Sequence, residues 1–244
     1  MNSIVPAFVT SLYGVRAAVS TRVGGVSTPP LDLNLSFNVG DDALHVKKNR
    51  ELFFGSLGIG VDALALPQQV HGNTVRRVDR PGLYPACDAL VSNVPGVYLG
   101  VTVADCIPLL IFDAAKRAVS AVHVGWRGSL ARVASKALET LAAEYSSRPE
   151  DVFAFLGPSA GVCCYEVGEK IARRFDSSDF QTRNGRIFLD LKSVTRRHLS
   201  AFGIPEAHIE FSAQCTICSP SVFHSFRRER EKSGRMMGVV GLSA

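Results

Sequence analysis

The stretch from Ala121 to Leu130, AVHVGWRGSL, places a histidine, the chain's only tryptophan, an arginine and two glycines within six residues. An apolar run precedes it and a helical pattern follows. Core filling would favour Leu or Val at position 123, so an imidazole at a strand mouth asks for a chemical partner. The run IPLLIFDAAKRAVSAVHV supplies one, because it reads as two strands around a short loop at residues 113–116. Pairing Phe112 with Arg117 and continuing outward sets Cys106 opposite His123. Opposed residues have Cβ atoms about 4.5–5.5 Å apart. A thiolate and an imidazole at that distance can share a zinc ion, with Zn–S about 2.3 Å and Zn–N about 2.0–2.1 Å. Two features count against the pairing. A slip of one residue separates the two faces, and Pro108, lacking an N–H, could break the ladder. The residues alone also allow a buried thiol beside a hydrogen-bonded histidine.

A third ligand is needed, and His71 in QQVHGNTV sits in another β-like run beside a glycine. Spacing does not tie it to the other two, and a lone histidine there reads equally as a satisfied or exposed side chain. His45 and His198 fall in helical segments, His208 lies before a strand, and His224 sits within VFHSFRRE.

The elements that must position these residues can be read from punctuation and period. Asp41 or Asp42 can cap a helix running to about Leu57, closed by Gly58. From Ser129 to Tyr145, residues Leu130, Val133, Ala134, Ala137, Leu138 and Leu141 form one apolar stripe, with Ser129 as the expected cap. A third helix spans 191–202, entered by Asp190 and closed by Gly203 with Pro205 beyond. Strands are expected at 17–20, 69–78, 97–103, 108–112, 118–124, 152–156 and 209–212. Hairpin-like neighbours mixed with interposed helices predict an α+β (mixed α/β) fold, with mixed β-sheets flanked by helices. No linker or repeat divides the chain, so a single domain over residues 1–244 is expected.

Composition bounds the rest. A chain of 244 residues with 46% hydrophobic and 20% charged content is ordinary for a globular protein. At that length roughly 70–75% of the unfolded surface is buried, so neither disulfides nor a metal are needed merely to hold the fold. The net charge of +5 is mild. It suits anionic substrates such as phosphate esters, while the lack of a Lys/Arg block argues against a nucleic-acid partner. No apolar run reaches a membrane span and no signal peptide is evident, so a cytoplasmic protein with six reduced cysteines is expected. Nothing in the sequence sets the oligomeric state.

Several motifs occur in order: TRVGGVS (21–27), NLSFNVGDD (34–42), QQVHGN (68–73), CDALVSN (87–93), VADCIPLL (103–110), HVGWRG (123–128), LGPSAGVCCYEVG (156–168), CTIC (215–218) and FHSFRRE…SGR (223–235). Together they resemble the YfiH-like family, whose members carry the labels polyphenol oxidase, laccase-domain protein, peptidoglycan editing factor and purine nucleoside phosphorylase. The resemblance covers nearly the whole chain. Its most specific parts are QVHG, ADC-x-P and H-x-GWRG. It implies mixed sheets flanked by helices and a metal site, usually zinc, made by His71, Cys106 and His123. Val124 stands where the family usually has Ala, and Phe226 where Tyr is frequent; neither change removes a ligand.

Two imidazoles and a thiolate leave the fourth position of a tetrahedral zinc open, the catalytic arrangement, so the three ligands are also the expected catalytic residues. The resemblance therefore implies a zinc-dependent purine nucleoside phosphorylase acting on adenosine, inosine and methylthioadenosine, with adenosine deaminase activity and with nucleoside and phosphate as its partners. Arg22, Arg127 and Arg228 are candidates for phosphate, which guanidinium groups bind bidentately. Glu166 and Asp105 are candidate acid–base groups, and Asp105 could equally support a ligand by hydrogen bonding. Gly125 and Gly128 would let the backbone approach a ligand, while Trp126 reads chiefly as a core anchor. Asp88 could cap a turn or sit near the pocket. A single C-x-x-C at Cys215–Cys218 reads as structural or packing, since a zinc ribbon would need a second pair, with redox chemistry the lesser alternative; the vicinal pair Cys163–Cys164 reads as local packing near the site. Two other enzyme readings stay open: a Cys/His amidase editing a cell-wall precursor, and copper-dependent phenol oxidation, because His₂Cys also describes a blue-copper centre. The second is disfavoured by a total of six histidines. A metal-stabilised binding module is the non-enzyme alternative.

Overall fold

Strands that are apolar on both faces need a covering layer on each side, and the central strands of this chain are of that kind. In the computed structural model, which describes residues 3–243, Ile107–Asp113, Ala118–Val124 and Met236–Leu242 are buried at every position. They belong to two six-stranded sheets that stack face to face. The first runs Ser3–Ile4, Val15–Ser20, Met236–Leu242, Tyr98–Val103, Leu64–Pro67, Gly82–Tyr84. The second runs Ile209–Phe211, Val152–Leu156, Ile107–Asp113, Ala118–Val124, Ala89–Ser92, Val75–Arg77. Both mix parallel and antiparallel pairs.

Alternation along each strand builds the layers. Val19, Leu99, Val101 and Val240 of the first sheet meet Leu110, Phe112, Val119 and Phe155 of the second in the space between. The intervening residues Ala18, Met237 and Val239 face outward onto Phe53 and Phe54 of the helix Ala43–Ser56. Leu109, Ile111, Val122 and Val124 face the other way, onto Val133, Ala137, Leu138 and Leu141 of the helix Val133–Tyr145. Leu191 and Leu199 of the helix Leu191–Phe202 complete that outer layer. The result is helix, sheet, sheet, helix, which is the expected architecture of mixed sheets flanked by helices. Among the described residues, no helix is long and apolar enough to cross a membrane.

The hairpin carrying His123 differs from expectation by two residues. Asp113 pairs with Ala118 and Pro108 with His123. Asp113 Oδ1 accepts from the amides of Ala115 and Lys116 at 2.9 and 2.8 Å, and Arg117 turns through φ 48°, so the loop holds residues 114–117. A two-residue shift keeps the same face. Cys106 thus lies just beyond the strand end, on the inter-sheet side with His123. Pro108 does not break the ladder. Its carbonyl accepts from Gly157 N at 3.0 Å, on the side away from His123, so its missing donor faces Gly157 too.

Three further expectations are corrected. Residues 129–145 are not one helix: Trp126–Leu130 is a short helix, Arg132 adopts φ 58°, and Val133–Tyr145 follows. Ser129 lies inside the first piece, donating its amide to Gly125 O at 2.8 Å, so it caps nothing. Within 69–78 only Val75–Arg77 is strand. The central strand Met236–Leu242 was not expected at all, and it joins the chain's last residues to Val15–Ser20 and Tyr98–Val103.

Candidate metal centre

His71 is held by a loop that bridges the two sheets. The Gln69 side chain mimics a strand, donating to Thr102 O at 2.9 Å and accepting from Thr102 N at 2.9 Å. The next three amides, of Val70, His71 and Gly72, all donate to the fully buried Asp88 carboxylate at 3.2, 2.9 and 2.7 Å. Asn73 ties the far end to Ala131 O at 2.8 Å. Those bonds sustain φ 60° at His71, a left-handed conformation uncommon outside glycine.

Asp88 also fixes His123. Its backbone oxygen accepts from His123 N at 2.8 Å, and Oδ1 lies 2.8 Å from His123 Nδ1. Nε2 is left as the available ring nitrogen. This is the carboxylate–histidine support that orients metal-ligating imidazoles and raises their basicity. Cys106 is presented by Asp105, whose φ of 87° kinks the chain. Asp105 spends both oxygens on structure, accepting from Thr216 Oγ1 at 2.7 Å and Arg227 N at 2.6 Å. It therefore supports the ligand loop and is not a free base.

The three ligand atoms of His71, Cys106 and His123 lie within 4.8 Å of one another, and the two imidazoles meet edge to face at 4.8 Å between centroids. Gly125 leaves room for this: a Cβ there would stand 3.0 Å from Cys106 Sγ and 3.5 Å from His71 Cδ2. Burial works against a thiolate at Cys106, but His123 and His71 outweigh it and bring the pKa down to about 6. Burial also opposes an imidazolium at His123, yet Cys106 and Asp88 outweigh it and lift the pKa to about 9. The donor set, its supported imidazole and its thiolate character fit a borderline-soft divalent ion such as zinc.

The cluster opens into a cavity of about 1080 Å³ lined by elements of both sheets, including Gln69, Thr102, Phe37 and Phe226. The guanidinium groups on its wall are Arg50 and Arg235; Arg235 closes the SGR motif, to which the sequence assigns no role, and Arg50 lies in no motif. Arg50 lies 4.5 Å from the Phe37 ring centroid and Arg235 5.5 Å from that of Phe226. Of the expected phosphate ligands, Arg22 and Arg228 are committed elsewhere. Arg22 binds Asp32 and Glu229, each at 2.6 Å, and Arg228 donates to the carbonyls of Thr216, Ile217 and Phe223. Their guanidinium donors are consumed by the fold. Arg127 is exposed, with its guanidinium 4.4 Å from the centroid of the half-buried Trp126. Glu166 is not on the cavity wall; its carboxylate lies 3.6 Å from Arg186 in a third, three-stranded sheet of Glu166–Val167, Arg186–Leu189 and Phe180–Arg183, so the acid–base role expected of it has no support in the geometry. His224 is fully buried away from the centre, 3.9 Å from Glu229.

Residues 16–243 match the family described as multi-copper polyphenol oxidoreductase laccase. A purine nucleoside phosphorylase of Deinococcus radiodurans is 37% identical over 232 residues, spanning 92% of this chain and 88% of that protein. Adenosine deaminase RL5, from an unknown prokaryotic organism, is 33% identical over 248 residues, spanning 93% and 94%. The crystal structure of Bacillus licheniformis hypothetical protein YfiH matches with a TM-score of 0.89 at 32% identity, covering 94% of this chain and 93% of that one.

Proposed function

This chain belongs to the YfiH-like family, described as multi-copper polyphenol oxidoreductase laccase, and from that premise we propose that it is a zinc-dependent purine nucleoside phosphorylase. Its substrates are adenosine, inosine and methylthioadenosine with inorganic phosphate, and it carries adenosine deaminase activity besides. The observation that carries this reading is the His71–Cys106–His123 donor set, backed by Asp88, at the wall of a cavity of about 1080 Å³. That volume slightly exceeds the roughly 300–1,000 Å³ of small-molecule sites, with room for a nucleoside and a phosphate together.

His71, Cys106 and His123 would hold the ion, which supplies Lewis-acid stabilisation of the charge that develops on oxygen. Arg50 and Arg235 bind the phosphate. Burial lowers the Arg50 pKa only to about 10, so its guanidinium stays charged at neutral pH. Phe37 and Phe226 form apolar walls for the purine. The barrier falls mainly through orientation and electrostatic preorganisation.

The test is direct. Fully metallated protein with phosphate and adenosine or inosine should release free base and ribose 1-phosphate, and Cys106→Ala should abolish the release. Intact nucleoside after prolonged incubation, with metal content verified, refutes the reading. One observation favours a second reading: the lowered Cys106 and raised His123 describe a thiolate–imidazolium pair, the equipment of a Cys/His amidase. A covalent acyl adduct on Cys106 in metal-free protein would select it.

A further inference from the structure

The four remaining partners of a metal-like cluster come from segments far apart in sequence. The loop after Val152–Leu156 carries the vicinal pair Cys163–Cys164, and the loop after Ile209–Phe211 carries Cys215 and Cys218. Val152–Leu156 and Ile209–Phe211 are parallel neighbours in the second sheet, so both loops leave the same edge at the same end. A bridge between Ser159 and Cys215 keeps them together, with Thr216 N donating to Ser159 O at 3.0 Å. All four sulfur atoms fall within 4.8 Å of one another. Cys218 Sγ stands 3.4 Å from Cys163 Sγ and 3.0 Å from Cys164 Sγ.

We propose that Cys163, Cys164, Cys215 and Cys218 form a second, structural metal site that binds one zinc ion through four thiolates. The site is separate from the His71–Cys106–His123 centre and does not depend on the enzymatic reading above. A tetrahedron with Zn–S bonds of about 2.3 Å has sulfur–sulfur edges of about 3.8 Å, the scale of the separations seen. Disulfides require one sulfur pair at about 2.05 Å with the others released. Here Cys218 is shared between two partners and no exclusive pair stands out. The C-x-x-C segment is folded for a metal, too. Cys215 Sγ accepts from Gly161 N at 3.3 Å, and an amide turned onto a cysteine sulfur stabilises a ligating thiolate.

The charge also balances. Four thiolates around a divalent ion leave a net charge of about −2. Lys192 Nζ, donating to Ser212 O and Gln214 O at 2.5 and 3.2 Å, stands on one side. Arg183 stands on the other, donating to the carbonyls of Val162 and Cys163 at 2.8 and 2.9 Å. No open position is left once four sulfurs bind, which marks a structural site. Its effect is to staple the two loops. Thr216, between the paired cysteines, donates to Asp105, the neighbour of Cys106, so the staple lies one hydrogen bond from the residue preceding a catalytic ligand.

The experiment uses full-length Cys106→Ala protein purified from zinc-supplemented cells, in which the first centre is disabled. It should retain one zinc per chain by elemental analysis. Replacing that zinc with cobalt(II) should give the intense thiolate-to-metal charge transfer and visible bands of a tetrahedral four-sulfur site. Adding Cys163→Ser and Cys218→Ser should remove both metal and spectrum. Should that variant fail to fold, titrating the folded Cys106→Ala protein with an organomercurial should release zinc as four thiols react. Zinc-free Cys106→Ala protein, a cobalt spectrum without charge transfer, or intact masses showing disulfides among these cysteines would each overturn the proposal. Absence of nucleoside turnover in the wild type would leave these readouts untouched.

Discussion

At the scale of single residues, the centre depends as much on what holds the ligands as on the ligands. Asp88 lies 17 residues from His71 and 35 from His123, yet it accepts from the amides of the QVHG loop and orients the His123 ring. Asp88→Asn keeps the shape but replaces an acceptor oxygen with an amide that cannot satisfy those donors. Metal affinity should fall on the order of 10–100-fold, measured by competition against a chelating dye, with the fold intact by circular dichroism; unchanged affinity would discard the supporting role. Gly125→Ala brings a methyl to 3.0 Å from Cys106 Sγ. A ligand displaced by tenths of an ångström misplaces the reaction, and kcat/KM should drop roughly 10-fold or more while the melting temperature moves little. Full activity in that variant would show that the donors do not converge in the working enzyme. Cys106 and His123 were legible in the sequence because a hairpin links them. His71 was legible only through family resemblance; Asp88 carried two open roles, a turn cap or a pocket neighbour, Arg235 only closed the SGR motif and Arg50 carried no signal, because long-range packing alone brings these three to the site.

At the scale of elements, the parts that sequence chemistry describes well are those with local causes. The helix Leu191–Phe202 begins where Asp190 accepts from Ser193 N at 3.0 Å and ends at Gly203 with φ 102°, as its punctuation predicts. Asp190→Ala removes that cap at a cost of about 0.5–2 kcal/mol, or a melting temperature lower by roughly 2–6 °C for a chain of this size. Turnover at 25 °C should be unaffected, because this helix does not line the cavity; a melting temperature that stays put would deny the cap its role. Elements with non-local causes were less legible. The apolar stripe ending at Leu141 reads as one helix because its period crosses Arg132, where the backbone breaks at φ 58°. The hairpin register escaped by two residues because Asp113 closes a longer turn with its own carboxylate. Met236–Leu242 gives no strand signal because MMGVVGL, with its two glycines, carries no alternation of polar and apolar positions; it is a strand because it pairs with neighbours on both sides.

At the scale of the whole molecule, ion pairs knit segments that the sheets leave apart. Arg22 follows Val15–Ser20, Asp32 lies in the next loop, and Glu229 ends the helix Phe226–Glu229 near the far end of the chain. Arg228 and His224 close the group around Glu229. Charge in this network therefore reports on closure of the first sheet rather than on substrate, because Arg22 and Arg228, the expected phosphate ligands, are already engaged in it. Burial works against an ionised Glu229, but His224, Arg228 and Arg22 more than offset it and hold the carboxyl well below its usual 4.5. A carboxyl depressed in the folded state contributes stability above its unfolded pKa and loses it as pH falls through the folded one. Wild type should accordingly melt above Glu229→Gln by its widest margin at neutral pH. The margin should narrow steadily below pH 4.5, as Glu229 takes up a proton first in the unfolded chain. His224, buried and present in both proteins, is held neutral mainly by desolvation, which Glu229 partly offsets, and its loss of stability in acid is common to both until pH reaches its lowered folded value. The comparison is therefore read from the difference between two melting curves taken from about pH 7 to about pH 3. A difference that stays constant over that range would mean that Glu229 acts through packing, and that the Arg22 network closes the sheet without relying on its charge.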